Sequence, residues 1–240
     1  MAEFRDRFEA GRSLACLLLR HGDRSDVLVL ALPRGGVPIG AMVAEALNAP
    51  LDVFLVRKLG VPGQEELALG AIASGGVRIL NDEVVNALNI PLETINRLTA
   101  REEQELRRRE QAYRGDRPPL DLRGRTVVLV DDGLATGSTM KAAVAAAQRQ
   151  GASRLVVAVP VAALQACSEL AATGVDEVVC LVLPEPFIAV GLHYDDFTQV
   201  DDRQVRELLE SALSPPAPEG AATIGSKKAT MENRGVRTWH

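Results

Sequence analysis

Residues 127–139 read VVLVDDGLATGST, an apolar run followed by two carboxylates and then by small residues and hydroxyls. An uninterrupted apolar run is typical of a parallel strand that is covered on both faces. From position 140 onward, apolar residues recur with the spacing of one helical face. The segment therefore predicts a strand, a loop and a helix, with Asp131 and Asp132 at the carboxyl end of the strand.

Strand-like and helix-like runs alternate through much of the chain. Further apolar runs predict strands at 27–32, 51–58, 154–161 and 176–183. Helical periodicity is found at 37–48, 92–114, 163–173 and 202–213. This alternation predicts an α/β fold with a mostly parallel, doubly wound sheet flanked by helices. Residues 59–80 hold five glycines and no long periodic stretch, so we expect a functional or mobile loop there.

Length and composition limit the number of domains. The chain has 240 residues, which suffices for one α/β domain and a tail. We expect residues 1–213 to form this domain. From Ser214 onward, Pro, Gly, Ala and Lys dominate and no core face is apparent, which predicts a disordered tail over 214–240.

Charge and targeting signals argue against several classes of partner. The formal net charge is −5, from 27 basic and 32 acidic residues, which disfavours nucleic acid and anionic membranes. The N-terminus carries charges without an apolar leader, and no apolar run reaches the ~18 residues of a membrane span. The three cysteines form no CxxC pair, which is typical of reduced thiols. We therefore expect a cytoplasmic protein that binds neither nucleic acid nor membrane.

The loop after the two aspartates has the composition of an anion site. Small and hydroxyl-bearing residues open the predicted helix: Ala135, Thr136, Gly137, Ser138 and Thr139. Free backbone amides at a helix N-terminus, together with the helix dipole, attract a phosphate. Carboxylates upstream accept hydrogen bonds from sugar hydroxyls. A ribose 5-phosphate would satisfy both parts, with its phosphate on the loop and its 2- and 3-hydroxyls on Asp131 and Asp132.

Two common phosphate-binding motifs are absent from the sequence. A Walker A loop needs GxxxxGK[ST], and the chain contains no such string. The segment PRGGVPIG, after the first predicted strand, lacks the GxGxxG spacing of a dinucleotide-binding fold. The site therefore belongs to neither of these two classes.

The stretch VVLVDDGLATGST closely resembles the phosphoribosyl pyrophosphate (PRPP) motif of type I phosphoribosyltransferases. The segment LPRGG at 32–36 looks like the family's pyrophosphate-binding loop, and VRKLG at 56–60 with the glycine-rich stretch after it looks like its mobile catalytic loop. The resemblance covers roughly 1–213 and is strongest to a bacterial subgroup of unassigned acceptor. It implies Mg²⁺-dependent transfer of the 5-phosphoribosyl group of PRPP to a small nitrogenous base, release of pyrophosphate, and a homodimer.

The resemblance assigns a role to each motif. Arg34, with the Gly35 and Gly36 amides, suits the pyrophosphate, and the family often has a non-proline cis peptide in this loop. Arg57 and Lys58 could reach the same group. Mg²⁺ would be held mainly by substrate oxygens and water, without a dedicated set of protein ligands. The residues expected to act in catalysis are Arg34, Lys58, Asp131 and Asp132.

The acceptor base is less clearly encoded. Ala135 stands where enzymes for 6-oxopurines usually carry an acid, which disfavours guanine and hypoxanthine and only weakly favours adenine. The segment 183–200 is expected to form a small hood, in which Phe187, His193 and Tyr194 could stack on or hydrogen-bond a flat ring. Two alternatives stay open on the same fold: a PRPP-binding regulatory or sensor protein without transferase activity, and a PRPP hydrolase.

Overall fold

The computed structural model describes residues 2–212 and 237–239. The described strands are β1 (Val27–Ala31), β2 (Leu51–Val53), β3 (Val56–Val61), β4 (Gln64–Ala73), β5 (Val77–Leu80), β6 (Thr126–Val130), β7 (Arg154–Val161), β8 (Glu177–Val182) and β9 (Arg237–Trp239). The described α-helices are α1 (Arg7–Leu18), α2 (Gly36–Leu47), α3 (Asp82–Ala87), α4 (Leu92–Arg114), α5 (Ser138–Arg149), α6 (Leu164–Ala171) and α7 (Asp202–Ser211).

The main sheet has the strand order β2-β1-β6-β7-β8-β9. The first five strands are parallel, and β9 is antiparallel to β8. The order of connection reverses between β1 and β6, which is the topological switch point where ligands bind in open α/β sheets. Ala31 pairs with Val130, so the two strands end at the same level and the loops that follow them lie side by side.

The core lies on both faces of this sheet, as predicted for a doubly wound fold. Every residue of β1 and of β6 is buried. One apolar cluster includes Leu14 of α1, Ile39 of α2 and Val205 of α7. A second cluster includes Val144 of α5 and Cys167 of α6. The predicted fold class is therefore confirmed, and the two buried central strands form a rigid base for the loops at their ends.

A second, antiparallel sheet of order β3-β4-β5 was not predicted. The apolar run 51–58 divides between the sheets, since β2 ends at Val53 and β3 begins at Val56. The prediction of a loop over 59–80 is wrong, because these residues continue β3 and form β4 and β5, with a turn at Gly63. Alanine and glycine supply little of the apolar alternation by which a strand is recognised in a sequence.

The end of the chain is described only in part. Residues 213–236 and 240, which belong to or border the predicted tail 214–240, lie outside the described residues. Residues 237–239 form β9, which pairs antiparallel with β8. Pairing with β9 satisfies backbone groups of β8 that an open sheet edge would leave free. Within the described ranges, none of the helices has the length and apolar character to cross a membrane.

Candidate active site

The loops after β1 and β6 pack against each other at the switch point. Leu32 N donates to Val130 O at 2.8 Å, which ties the start of one loop to the end of β6. A Cβ added at Gly35 would lie 2.0 Å from Asp132 Oδ2, so the first loop needs glycine to rest directly on this carboxylate. The Pro33–Arg34 peptide is cis, as the family resemblance implied. The structure therefore brings together the two segments that the sequence singled out.

In each of the two aspartates, one carboxylate oxygen accepts hydrogen bonds from the protein itself. Asp132 N donates to Asp131 Oδ1 at 2.8 Å. Arg7, on α1, donates from Nε and from Nη2 to Asp132 Oδ2 at 2.9 and 2.8 Å. Among the described residues no donor reaches Asp131 Oδ2 or Asp132 Oδ1. Each acid thus keeps one oxygen that can accept a hydrogen bond from a ligand hydroxyl.

Burial disfavours the negative charge on both acids. It raises the pKa of Asp131 well above its ordinary value, and the neighbouring charge of Asp132 adds to the rise. Burial also raises the pKa of Asp132, while the Arg7 guanidinium opposes that effect. A ligand that offers hydroxyl donors and develops positive charge would stabilise the charged pair.

The loop after the acids leads into α5 through a left-handed residue. Gly137 is the N-cap of α5 with φ of +68°, a conformation that favours glycine. Leu134 anchors the loop to the sheet, because its N–H donates to Val161 O at 2.9 Å and its carbonyl accepts from Ala163 N at 2.9 Å. These two hydrogen bonds fix the loop at Leu134, before residues 135–139.

The tip of this loop is open to a ligand. Ala135, Thr136, Ser138 and Thr139 are exposed, and Thr136 Oγ1 lies 3.0 Å from Ser138 Oγ. In the part of the chain that the structure describes, the amides of Ala135, Thr136, Gly137 and Thr139 donate no hydrogen bond. Open amides stand at the N-terminus of this twelve-residue helix with hydroxyls beside them, and such groups are the ones that bind phosphates at helix N-termini. We refer to residues 135–139 as the phosphate cradle.

A cavity of about 530 Å³ lies against Asp132 and the loop after β1. Four arginines are among its lining residues: Arg7, Arg34, Arg108 and Arg109. Arg34 Nη1 lies 3.4 Å from Asp202 Oδ1, which also accepts from Tyr113 OH at 2.7 Å. These contacts place Arg34 at the cavity, where its guanidinium suits an anion such as pyrophosphate.

Three other predicted pyrophosphate ligands are placed differently. Gly36 N donates to Leu32 O at 3.1 Å, so this amide is used within the loop, and its contact with pyrophosphate stays a prediction. Arg57 donates from Nε and Nη2 to Glu102 Oε2 on α4, at 2.9 and 2.5 Å. Lys58 is exposed on β3. Neither Arg57 nor Lys58 is among the described residues that line the cavity.

The hood over 183–200 is built partly from the N-terminus. Phe4 N donates to His193 O at 3.0 Å, and Phe4 O accepts from Asp195 N at 2.9 Å. Tyr194 is 5% exposed and donates its hydroxyl to Asp132 O at 2.7 Å, which supports the acid pair from behind, and its role against the base stays a prediction. Phe187 stacks on His193 with ring centroids 6.3 Å apart. Both rings are partly buried, and His193 Nδ1 lies 3.0 Å from Glu3 Oε2.

Arg7 is the site residue that sequence reasoning missed. It lies 125 residues before Asp132 in the chain, in a charged segment at the start of a helix that has no unusual sequence feature. No local spacing links the two, and only the packing of α1 beside the sheet brings them together. The burial of Arg7, at 8% exposure, becomes evident only in the fold.

The fold and this site define the class of protein. A family model described as the phosphoribosyl transferase domain matches residues 3–196, which include both switch-point loops, the acid pair and most of the hood. The chain belongs to this family.

Individual relatives agree with this family. Two proteins of Mycobacterium tuberculosis, from strains CDC 1551 and H37Rv, carry the provisional name of phosphoribosyl transferase and are each 46% identical over 221 residues, 92% of this chain. The match covers 49% of their length, so the chain spans about half the length of these curated relatives. The crystal structure of TT1426 from Thermus thermophilus is similar with a TM-score of 0.78 and 43% identity, over 87% of this chain and 98% of that one.

Proposed function

We propose that the protein is a Mg²⁺-dependent phosphoribosyltransferase that transfers the 5-phosphoribosyl group of PRPP to a small nitrogenous base. The observation that carries this proposal is the open phosphate cradle beside two aspartates that each keep one carboxylate oxygen for a ligand. A simple anion site would gain nothing from the two negative charges. A sugar phosphate uses both parts, because its phosphate accepts hydrogen bonds and its hydroxyls donate them.

The reaction assigns a task to each group. The bond between C1 of the ribose and the pyrophosphate oxygen breaks, and pyrophosphate leaves with the electron pair. A nitrogen of the base forms the new bond to C1 and releases its proton to solvent. Asp131 and Asp132 hold the diol and favour the positive charge that develops on the ring. Arg34 and the Gly35 amide bind the departing pyrophosphate from the loop after β1.

The residues present fit a magnesium ion that is bound mainly through the substrate. The described residues contain no group of three or more His, Cys, Asp or Glu side chains placed to hold a metal. Two carboxylates meet at the site, and Mg²⁺ is commonly held by one or two carboxylates together with substrate phosphates and water. When bound, the ion would neutralise charge on the pyrophosphate.

The acceptor is proposed at the level of a small nitrogenous base. Ala135 is exposed at the start of the cradle and carries no acid, which argues against guanine and hypoxanthine. The stacked Phe187 and His193 offer an aromatic surface in the hood. A homodimer in the cytoplasm, without a nucleic-acid partner, stays a prediction.

Ligand-induced stabilisation tests the site. Mg²⁺ and PRPP at about 100 times the Kd should raise the unfolding free energy by about 2.7 kcal/mol. The double variant Asp131→Asn/Asp132→Asn should lose this shift, whereas Asp121→Asn, at an exposed pair with Arg123, should keep it. No shift in the wild type, or the same shift in the double variant, would discard the assignment.

A panel of nucleobases then tests the reaction. Pyrophosphate release should require PRPP, Mg²⁺ and one base of the panel. Release without any base would favour the hydrolase, and PRPP binding without release across the panel would favour the sensor.

A further inference from the structure

Arg7 is unusually constrained for an arginine near a chain terminus. Its side chain is 9% exposed, and its Nη1 donates to Thr198 O at 2.9 Å. The guanidinium carbon lies 3.9 Å from the centroid of the Phe197 ring, within cation–π distance. The hood therefore holds the guanidinium on one side. On the other side, Asp132 accepts the hydrogen bonds from Nε and Nη2.

Both of these hydrogen bonds end on the same oxygen. Nε and Nη2 reach Asp132 Oδ2 at 2.9 and 2.8 Å, and the described residues leave Oδ1 without a donor. An arginine that neutralised the acid for folding alone would commonly engage both oxygens in a fork. Here the contact fixes the orientation of the carboxylate and leaves its Oδ1 free to accept a hydrogen bond. Arg7 and Asp132 both line the cavity.

We propose that Arg7 is a positioning residue for ribose recognition: through Asp132 Oδ2 it fixes the carboxylate whose Oδ1 accepts a hydrogen bond from the sugar diol. This inference rests on the proposed function, because it assigns the diol to the aspartates. It adds that the N-terminal helix and the hood, which carry no residue of the phosphate cradle, determine how strongly the site selects a ribose. The alternative role is a latch, in which Arg7 occupies Asp132 and competes with the sugar.

The test compares two ligands that differ by one hydroxyl. Ribose 5-phosphate and 2-deoxyribose 5-phosphate present the same phosphate to the cradle, and only the first has the 2-hydroxyl. Calorimetric titration of the wild-type protein should give about tenfold tighter binding of ribose 5-phosphate, the factor that corresponds to about 1.4 kcal/mol. In Arg7→Met this ratio should fall towards one, with the affinity for the deoxy sugar nearly unchanged.

Further variants separate positioning from folding. Arg7→Lys keeps the charge but cannot donate through a planar fork, so it should give an intermediate ratio. Arg12→Met removes an exposed arginine on the same helix and should keep the wild-type ratio. Melting temperatures identify any variant that fails to fold. Should Arg7→Met be such a variant, Phe197→Leu, which keeps the guanidinium and removes the ring against it, should still lower the ratio.

The possible outcomes separate the proposed function from the role of Arg7. A wild-type protein that binds both sugars equally overturns the diol assignment, and with it both the proposed function and this inference. A wild-type preference that Arg7→Met retains overturns the inference alone. Tighter binding of ribose 5-phosphate by Arg7→Met identifies Arg7 as a latch and also overturns it.

Discussion

The contact between Gly35 and Asp132 allows a steric test of the site. Gly35 has φ of −61° and ψ of −34°, which alanine adopts without strain. The added methyl group, however, would lie 2.0 Å from Asp132 Oδ2 and 2.6 Å from Cγ. Because ordinary contact begins at 3.4 Å, the carboxylate must withdraw by more than about 1 Å, and a displacement of that size can cost about a hundredfold in rate.

We therefore expect Gly35→Ala to fold and to lower kcat/KM for PRPP by about a hundredfold. Steady-state kinetics and thermal denaturation measure the two effects separately. Gly22→Ala is the matched control, since Gly22 lies at φ of −70°, before β1, with Leu19 O as the atom closest to an added Cβ, at 3.1 Å. If Gly35→Ala keeps wild-type kcat/KM, the position of the Asp132 carboxylate does not matter for the reaction and the site assignment is wrong.

Two predictions concern stability. Arg114→Met should lower the unfolding free energy by about 3 kcal/mol, because the buried Asp52 loses its bidentate partner. The control is Arg123→Met, which removes an exposed arginine, and an equally small loss in both variants would contradict this prediction. Burial lowers the pKa of His21 below 6.5, and its buried Nδ1 has no described partner for a second proton. Because the unfolded chain then binds the extra proton, stability should fall as pH drops from about 7 to 5. Chemical denaturation at several pH values should show that the unfolding free energy of His21→Gln depends less on pH than that of the wild type. The same pH dependence in both proteins would refute this account.

The cradle and the acid pair were predictable because they are local in sequence. A single stretch, 127–139, contains the strand, both acids and the start of α5, and the folding rules of a parallel sheet place them at the switch point. The loop at 32–36 follows from the same rules. The tip of the cradle is exposed, and phosphate binding there stays a prediction.

The remaining features depend on contacts that no local pattern encodes. The pairing of Arg7 with Asp132 spans 125 residues, and the pairing of Arg57 with Glu102 spans 45. The Gly36 amide was assigned to a ligand, but the tight turn into α2 uses it for Leu32 O. Sequence composition identifies which groups are available for chemistry, whereas packing decides which of them stay free.

The most direct test of the central claim is a crystal structure of the protein with ribose 5-phosphate. We expect phosphate oxygens about 2.7–3.2 Å from the amide nitrogens of Ala135, Thr136 and Gly137. The 2- and 3-hydroxyls should donate to the open oxygens of Asp131 and Asp132, with Arg7 still on Asp132 Oδ2. A sugar phosphate bound with its phosphate away from the cradle, or with its diol away from the acids, would contradict the account.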